Sequence, residues 1–293
     1  CNDGTQLDKF KEQGWKTFGV DPAENLYPLS KDNHNVLCEY WNPEVALSFN
    51  TKFDLMTAQN VFAHVDDVHN FLQGCAVSLC DDGYVIIQTS QADMILDSQF
   101  DTIYHEHLSF FSSLSMKMCA NINGFSLVDV RKTEVHGGSY VFVLQLGDRD
   151  QSLADKQIQS ENDRGLYSLE TYKQYTNNCL KVVGDFRMTV EKFKSDGYKV
   201  VGYGAAAKGN TFLNFAEIDL DYIVDDNELK WNLLTPGRNI EIKDPMSLAS
   251  ENKDKLVVVP LAWNFFKEIS NRANKITGSS LKFIKYFPKV EIL

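Results

Sequence analysis

The sequence predicts an α/β protein built from two parallel-sheet units in series, and three observations carry that expectation. Short β-branched and aromatic runs alternate with helix-length segments, the spacing of strand–helix–strand units with both faces covered. The alternation starts twice, once near the N-terminus and again at Lys199. A polar stretch and one long helical pattern separate the two starts. The length, 293 residues, suits two domains of ~100–200 residues each.

The elements follow in order. Residues 5–14 read as a helix, with Leu7, Phe10 and Lys11 at helical spacing and Gly14 as its stop. Lys16–Asp21 reads as a short buried strand ending in an acid, after which Pro22 opens a turn or helix. Val36–Cys38 and Phe53–Ala58 are the next strands. A helix is expected from about Asp67 to Leu79, then the turn Asp81-Asp82-Gly83, then the strand Tyr84–Thr89. Leu127–Val130 and Tyr140–Leu146 lie so close in sequence that they are expected to pair antiparallel at the sheet edge. Residues 148–167 are polar and read as a linker. Leu169–Ser195 reads as a helix with Val182, Val183, Phe186, Val190 and Phe193 facing a core. Lys199–Gly204, Tyr222–Val224 and Leu256–Val259 are the strands of the second unit. The expected division is therefore 1–147, a connecting segment 148–198, and 199–293.

Composition narrows the function classes. Hydrophobic residues make up 43% and charged residues 24%, an ordinary globular balance. No apolar run approaches the ~20 residues of a bilayer span, so no membrane partner is expected. The net charge of −11 repels phosphate backbones, which argues against nucleic acid. It leaves room for a small phosphorylated ligand, which a nest of backbone N–H groups can hold. The six cysteines form no C-x-x-C pair, so no metal site is expected. Their scatter is that of reduced, buried thiols in a cytoplasmic protein.

Asn2-Asp3-Gly4, a helix, and then a strand ending in Asp21 form a cofactor-like arrangement. Glycine permits a tight turn under a ligand. An acid ~20 residues on can accept from both ribose hydroxyls. A full G-x-G-x-x-G, which brings backbone against a pyrophosphate, is missing, so NAD is disfavoured. S-adenosylmethionine carries no phosphate, and a looser acidic loop suits its charges.

CNDGTQL, FGVDPAENL, AQNVFAHVDD, DTIYHEHLSFFS, HGGSYVFV, VVGYGAAAKGNTFLNF and LAWNF occur in one order. Over nearly its whole length the chain resembles the S-adenosylmethionine-dependent C-methyltransferases of deoxysugar biosynthesis. The resemblance implies a class I methyltransferase Rossmann-like sheet followed by a second Rossmann-like α/β domain. In that family a strand and a zinc-binding domain precede Asn-Asp-Gly, so the chain is expected to be an N-terminally truncated piece. The strands ending at Asp21 and at Ala58 should then have no partner from this chain between them. The resemblance also places Asn2, Asp3 and Gly4 at the methionine end of the cofactor and Asp21 on the ribose. It places Tyr40 against the adenine, with Asn60 and Val61 beneath the cofactor. Its substrates are nucleotide-linked keto-deoxysugars. A related O- or N-methyltransferase, or a non-catalytic fragment, is the alternative.

Tyr104-His105-Glu106-His107 is the densest group of proton-transfer side chains. Extended backbone would split them two and two; a turn would converge them. Methylation at carbon needs such a group, because carbon has no lone pair. A proton must leave beside a ketone, which takes a base and a donor to the enolate oxygen. His107 is the expected base, with His105 second. Glu106 orients it or binds a hydroxyl, and Tyr104 donates to the substrate. His64, and His136 with Gly137 and Gly138, are expected to add to the site. Asp93 and Asp101 are candidate substrate contacts or solvated loop acids. In the second unit Tyr203, Lys208 and Asn210 mark a strand, a small-residue loop and a helix start suited to a diphosphate. Oligomeric state is not legible.

Overall fold

A computed structural model describes residues 1–134 and 137–293. The chain forms two compact units that interleave along the sequence. The first comprises Cys1–Ser90, Ser113–Thr133 and Tyr140–Ile158, and the second Gln91–Ser112, Glu134–Ser139 and Gln159–Leu293.

The first unit holds α1 (Thr5–Glu12), β1 (Phe18–Val20), α2 (Tyr27–Ser30), β2 (Asn35–Leu37), α3 (Pro43–Ser48) and β3 (Phe53–Gln59). It continues with α4 (Val68–Ser78), β4 (Leu79–Thr89), α5 (Ser113–Ile122), β5 (Phe125–Thr133) and β6 (Ser139–Leu146). Local chemistry sets the helix starts. Pro43 opens α3 behind Asn42, whose side chain accepts from the Val45 N–H at 2.9 Å. Asp67 does the same for α4 through the Asn70 N–H. The expected turn at 81–83 lies inside β4 instead, where the pairing slips from Phe53↔Leu79 to Leu55↔Tyr84. The extra residues form an irregularity in a continuing strand.

β3 and β4 pair parallel, β4 and β6 antiparallel, in the order β3-β4-β6-β5. β1 and β2 form a separate parallel pair. Among the described residues, no strand of this chain pairs between β1 and β3. Side chains bridge them: Phe18, Phe49 and Phe53 meet edge-to-face with centroids 5.3–5.8 Å apart.

The segment read as a linker is ordered. It carries α6 (Ser152–Asp163), whose first N–H groups are met by Asp150 through Ser152 at 2.9 Å. Apart from Leu153 its exposed residues are polar, which hid it from the sequence pattern, while Ala154 and Glu161 are buried.

The second unit holds α7 (Leu169–Ser195), β7 (Lys199–Tyr203), α8 (Ala207–Ala216), β8 (Tyr222–Val224) and β9 (Ile242–Lys243). β10 (Leu256–Pro260), α9 (Phe266–Thr277), β11 (Lys282–Lys285) and β12 (Glu291–Ile292) complete it. The sheet order is β12-β11-β10-β7-β8-β9, parallel except for β12. Alternation of period two sends Val200, Val257 and Val259 to a core with α7 and α8, and Val201, Tyr203 and Val258 to one with α9. On α7, Val182, Val183, Phe186 and Val190 are buried as expected, and Phe193 packs at the margin.

Residues 91–112 leave the first unit after β4 and join this core. Phe100 packs on Phe212 and Phe215 at 5.7 and 5.1 Å. Ser98 takes hydrogen bonds from Asn178 and Cys179 of α7. All six cysteines are free thiols, but only Cys75 and Cys179 are buried, a correction to the uniform burial expected. No described helix is long and apolar enough to cross a membrane.

Gly209 is where α8 meets the sheet: a Cβ there would lie 2.5 Å from Leu261 Cβ. Alanine at this helical position would gain ~1 kcal/mol of helix propensity, but overpacking costs about 1–3 kcal/mol. Gly209→Ala should therefore lower the unfolding midpoint, and a calorimetric scan showing a raised midpoint would contradict this packing.

Candidate active site

In the first unit the predicted cofactor residues follow three consecutive strands. Asp21 comes after β1, Tyr40 after β2, and Asn60 and Val61 after β3. The Asn2–Gly4 loop turns through two left-handed residues, Asn2 at φ 52° and Gly4 at φ 89°. Gly4 also has no room for a side chain, since a Cβ would meet Ser30 at 3.1 Å and the His34 ring at 3.3 Å. His34, which the sequence reading passed over, braces this loop. It is buried, with Nδ1 on Thr17 at 2.7 Å and Nε2 on Asp8 at 3.1 Å. Asp3 accepts the Thr5 N–H at 3.0 Å.

Asp21 Oδ2 accepts from the Asn2 N–H at 2.7 Å, and Oδ1 from the Ala23 N–H at 3.0 Å. Burial would push its carboxyl up, but these donors outweigh it and hold the group below its usual range. A carboxylate offers about four lone-pair sites, so Oδ1 retains acceptor capacity. Tyr40 is 76% exposed and Val61 44%. Neither is a core residue, and a large ring left out of the core at a strand end is available to a ligand. Asn60 is exposed in the left-handed region at φ 53°, its N–H on the Gln88 carbonyl at 2.9 Å. His64 is exposed in the short 3₁₀ helix Phe62–His64.

The Tyr104–His107 cluster belongs to the second unit. Successive tight turns at 100–107 bring Tyr104 and His107 together, as the His107 N–H meets the Tyr104 carbonyl at 2.9 Å. Their rings lie 4.2 Å apart. His107 Nδ1 donates to the Thr102 carbonyl at 2.9 Å. A carbonyl can only accept, so Nδ1 carries a proton, and in the neutral ring Nε2 is the acceptor for the Tyr104 hydroxyl at 3.0 Å. Burial, then the charges of Glu106 and Asp101, push the Tyr104 phenol up. His105 and Glu106 do not converge with this pair. Their side chains are 90% and 59% exposed and meet each other only at 3.9 Å. The group orienting His107 is thus the Thr102 carbonyl, and the expectation that Glu106 orients it is corrected. A backbone acceptor leaves no signature in sequence.

Of the other residues, His136 lies outside the described residues. Gly137 accepts from Gln99 Nε2 at 3.4 Å, and a Cβ on Gly138 would meet Gln91 Nε2 at 2.9 Å. Tyr203 and Lys208 are set apart. Tyr203 points to the α9 side, donates to Asp226 at 3.0 Å, and lines a cleft of about 620 Å³ with Asp226, Arg272 and Phe265. Lys208 does not line that cleft; its ammonium lies 5.2 Å from the Trp263 ring centroid. Asn210 Oδ1 accepts from Asn214 at 3.2 Å along α8. Asp93 and Asp101 are not solvated acids: both are 0% exposed. Asp93 pairs with Arg164 at 3.1 Å, and Asp101 accepts the Trp263 indole N–H at 2.6 Å. Among the described residues, no group of three His, Cys, Asp or Glu is placed to hold a metal.

Comparison with known proteins adds the class. Residues 134–288 match the C-methyltransferase C-terminal domain family, and residues 1–130 match a methyltransferase domain. The C-methyltransferase NovU of Streptomyces niveus is 28% identical over 303 residues, covering 100% of this chain and 72% of NovU. A ubiquinone biosynthesis O-methyltransferase of Rhodopseudomonas palustris is 28% identical over 93 residues, 30% of this chain and 37% of that protein. Among solved structures, an S-adenosylmethionine-dependent methyltransferase from Clostridium acetobutylicum aligns with TM-score 0.40 and 12% identity, over 50% of this chain and 82% of that one. The chain belongs to the C-methyltransferase family. It is an S-adenosylmethionine-dependent methyltransferase.

The first unit fits that cofactor. Asp21 has acceptor capacity for a ribose hydroxyl, Tyr40 an open ring for a purine, and Asn2–Gly4 a turned polar loop for the amino-acid end. S-adenosylmethionine bound there supplies an electrophilic methyl group. A hydrogen bond to a charged group contributes about 1.5–3 kcal/mol. Asp21→Asn should therefore weaken S-adenosylmethionine binding by roughly tenfold or more. Titration calorimetry measures this, and an unchanged affinity would remove Asp21 from the cofactor site.

Proposed function

We propose that this enzyme methylates the carbon beside the keto group of a nucleotide-linked deoxysugar, through an enolate formed by its own base. One observation carries the reading. His107 Nδ1 lies on the Thr102 carbonyl, which favours the neutral tautomer whose Nε2 meets the Tyr104 hydroxyl. That pairing supplies what carbon alkylation needs and what a hydroxyl or amine acceptor, with its own lone pair, needs less.

The roles follow from the hydrogen bonds. The substrate carbonyl takes over the Tyr104 O–H, which uncovers Nε2. Nε2 then accepts the proton from the adjacent carbon, and the electron pair moves onto the carbonyl oxygen, where Tyr104 stabilises it. The Thr102 carbonyl keeps its bond to Nδ1–H throughout, so the imidazolium forms without reorientation. The enolate carbon is then the nucleophile toward the methyl group. Because Tyr104 is pushed up by burial, it stays protonated near neutral pH and remains a donor. Glu106 and His105, both exposed, are assigned to hydroxyl contacts with the sugar, with His64, His136, Gly137 and Gly138 completing the substrate contacts. Lys208 takes the diphosphate and Asn210 is a further proposed contact beside it, while Tyr203 is a proposed contact from the separate cleft on the α9 side. We place the reaction in the cytoplasm, a reading supported by six free thiols.

Removing a general base costs ~10²–10⁴ in rate. His107→Ala should lose turnover by that factor, keep S-adenosylmethionine binding, and abolish exchange of the substrate's α-proton with deuterated solvent. Tyr104→Phe should slow the same exchange. If both variants exchange like the wild type, the dyad is not the acid–base site. Lys208→Ala should raise the KM for a nucleotide sugar by ~10-fold, the worth of one charged contact, and leave S-adenosylmethionine affinity alone.

A further inference from the structure

Lys208 is held by an unusual set of neighbours. Trp263 follows β10 in a 3₁₀ turn and is fixed on three sides. Its ring stacks on Phe287 with centroids 4.9 Å apart and 23° between planes. Its indole N–H donates to Asp101 Oδ2 at 2.6 Å. Its far edge meets Gly137, where a Cβ would lie 2.9 Å from Cη2 and 3.6 Å from Lys208 Nζ. The Lys208 ammonium lies over this ring at 5.2 Å. Asp101 is 0% exposed, and its Oδ1 makes no hydrogen bond of good geometry.

A buried carboxylate short of hydrogen bonds is costly and persists where an opposite charge compensates it. Lys208, across the Trp263 ring that Asp101 holds, supplies a charge that Asp101 feels. Resting on the reading that Lys208 receives the substrate's diphosphate, we propose that Asp101 and Trp263 are positioning residues that preset Lys208 as a charged, partly desolvated anchor for a diphosphate group. The ring fixes where the ammonium lies, and Asp101 both fixes the ring and holds the ammonium in its charged form. A phenylalanine at 263 could offer the face but not the N–H, and an asparagine at 101 could accept the N–H but not supply the charge.

The titration behaviour agrees with the geometry. Burial pushes the Lys208 amine down, and the charge of Asp101 opposes that. Burial pushes the Asp101 carboxyl up, opposed by Lys208 and then by the Trp263 N–H. The other titratable groups whose ionisation senses Asp101 are Tyr104, Tyr175, Cys179 and Tyr286. All are pushed upward, chiefly by burial, Cys179 to about 11, so they stay uncharged near neutral pH.

The test is calorimetric titration of the full chain with inorganic pyrophosphate between pH 6 and 10. Affinity should fall on the alkaline side as the Lys208 ammonium loses its proton. In Asp101→Asn the opposing carboxylate is gone and burial acts alone, so the fall should move to lower pH, by about one unit for a nearby opposite charge. Trp263→Phe should weaken pyrophosphate binding about 3–10-fold, the range of a cation–π contact that loses its fixed ring. A wild-type alkaline limb in Asp101→Asn together with wild-type affinity in Trp263→Phe would overturn the proposal. If Lys208→Ala binds pyrophosphate as the wild type does, the diphosphate reading itself fails, an outcome separate from failure of the positioning role.

Discussion

The anchoring of residues 91–112 in the second unit is the constraint on which the candidate chemistry depends. Phe100 is driven into the core beside α7 and α8, and burying such a ring contributes about 1.5–3 kcal/mol. Ser98 is tied to α7 by Asn178 and Cys179. The two ends of the segment are closed on each other through the Ala92 N–H and the Phe111 carbonyl at 3.1 Å. Between these fixed points the backbone runs in tight turns, and the turns place Tyr104 on His107 and His107 on Thr102. A loop held this way can carry precise chemistry, because its scaffold is packed even though its tip is exposed.

The second unit separates two polar environments with one sheet. Residues on β7 alternate between faces, so Tyr203 and its Asp226 partner lie on the α9 side. The start of α8, with Lys208 over Trp263, belongs to the α7 side. Residues adjacent in sequence thereby serve different surroundings. The buried acids Asp93 and Asp101 are tolerated for a common reason: Arg164 pairs with one, and the other takes the Trp263 N–H and feels the charge of Lys208. Each ties the 91–112 segment to a cation or a ring.

In the first unit similar logic applies to the candidate cofactor residues. Asp21, Tyr40 and Asn60 each follow the carboxyl end of a parallel-paired strand. The loop before α1 needs left-handed backbone at Asn2 and Gly4, and His34 and Ser30 close the space beneath it. The aromatic contact of Phe18, Phe49 and Phe53 joins the edges of the two sheets where hydrogen bonds do not.

The sequence by itself determined the elements whose signals are local. Alternation of β-branched runs with helices set the parallel strand pairs of both units, and period 3.6 set the buried face of α7. The order of chemical motifs identified the family before any coordinate was known. Signals that average out along the chain were lost. α6 was hidden by its polar outer face, and the irregular pairing in β4 was taken for a turn. What only the tertiary structure decided depends on contacts between residues far apart in sequence. Asp101 and Trp263 stand 162 positions apart and meet at 2.6 Å, so a loop acid became a buried partner of an indole. Within Tyr104–His107, four residue types of equal promise were sorted into a hydrogen-bonded pair and two exposed side chains. The deciding partner was a backbone carbonyl, at Thr102. Every residue carries that group, so composition and spacing cannot mark it, and only the path of the folded chain selects the one that holds the imidazole.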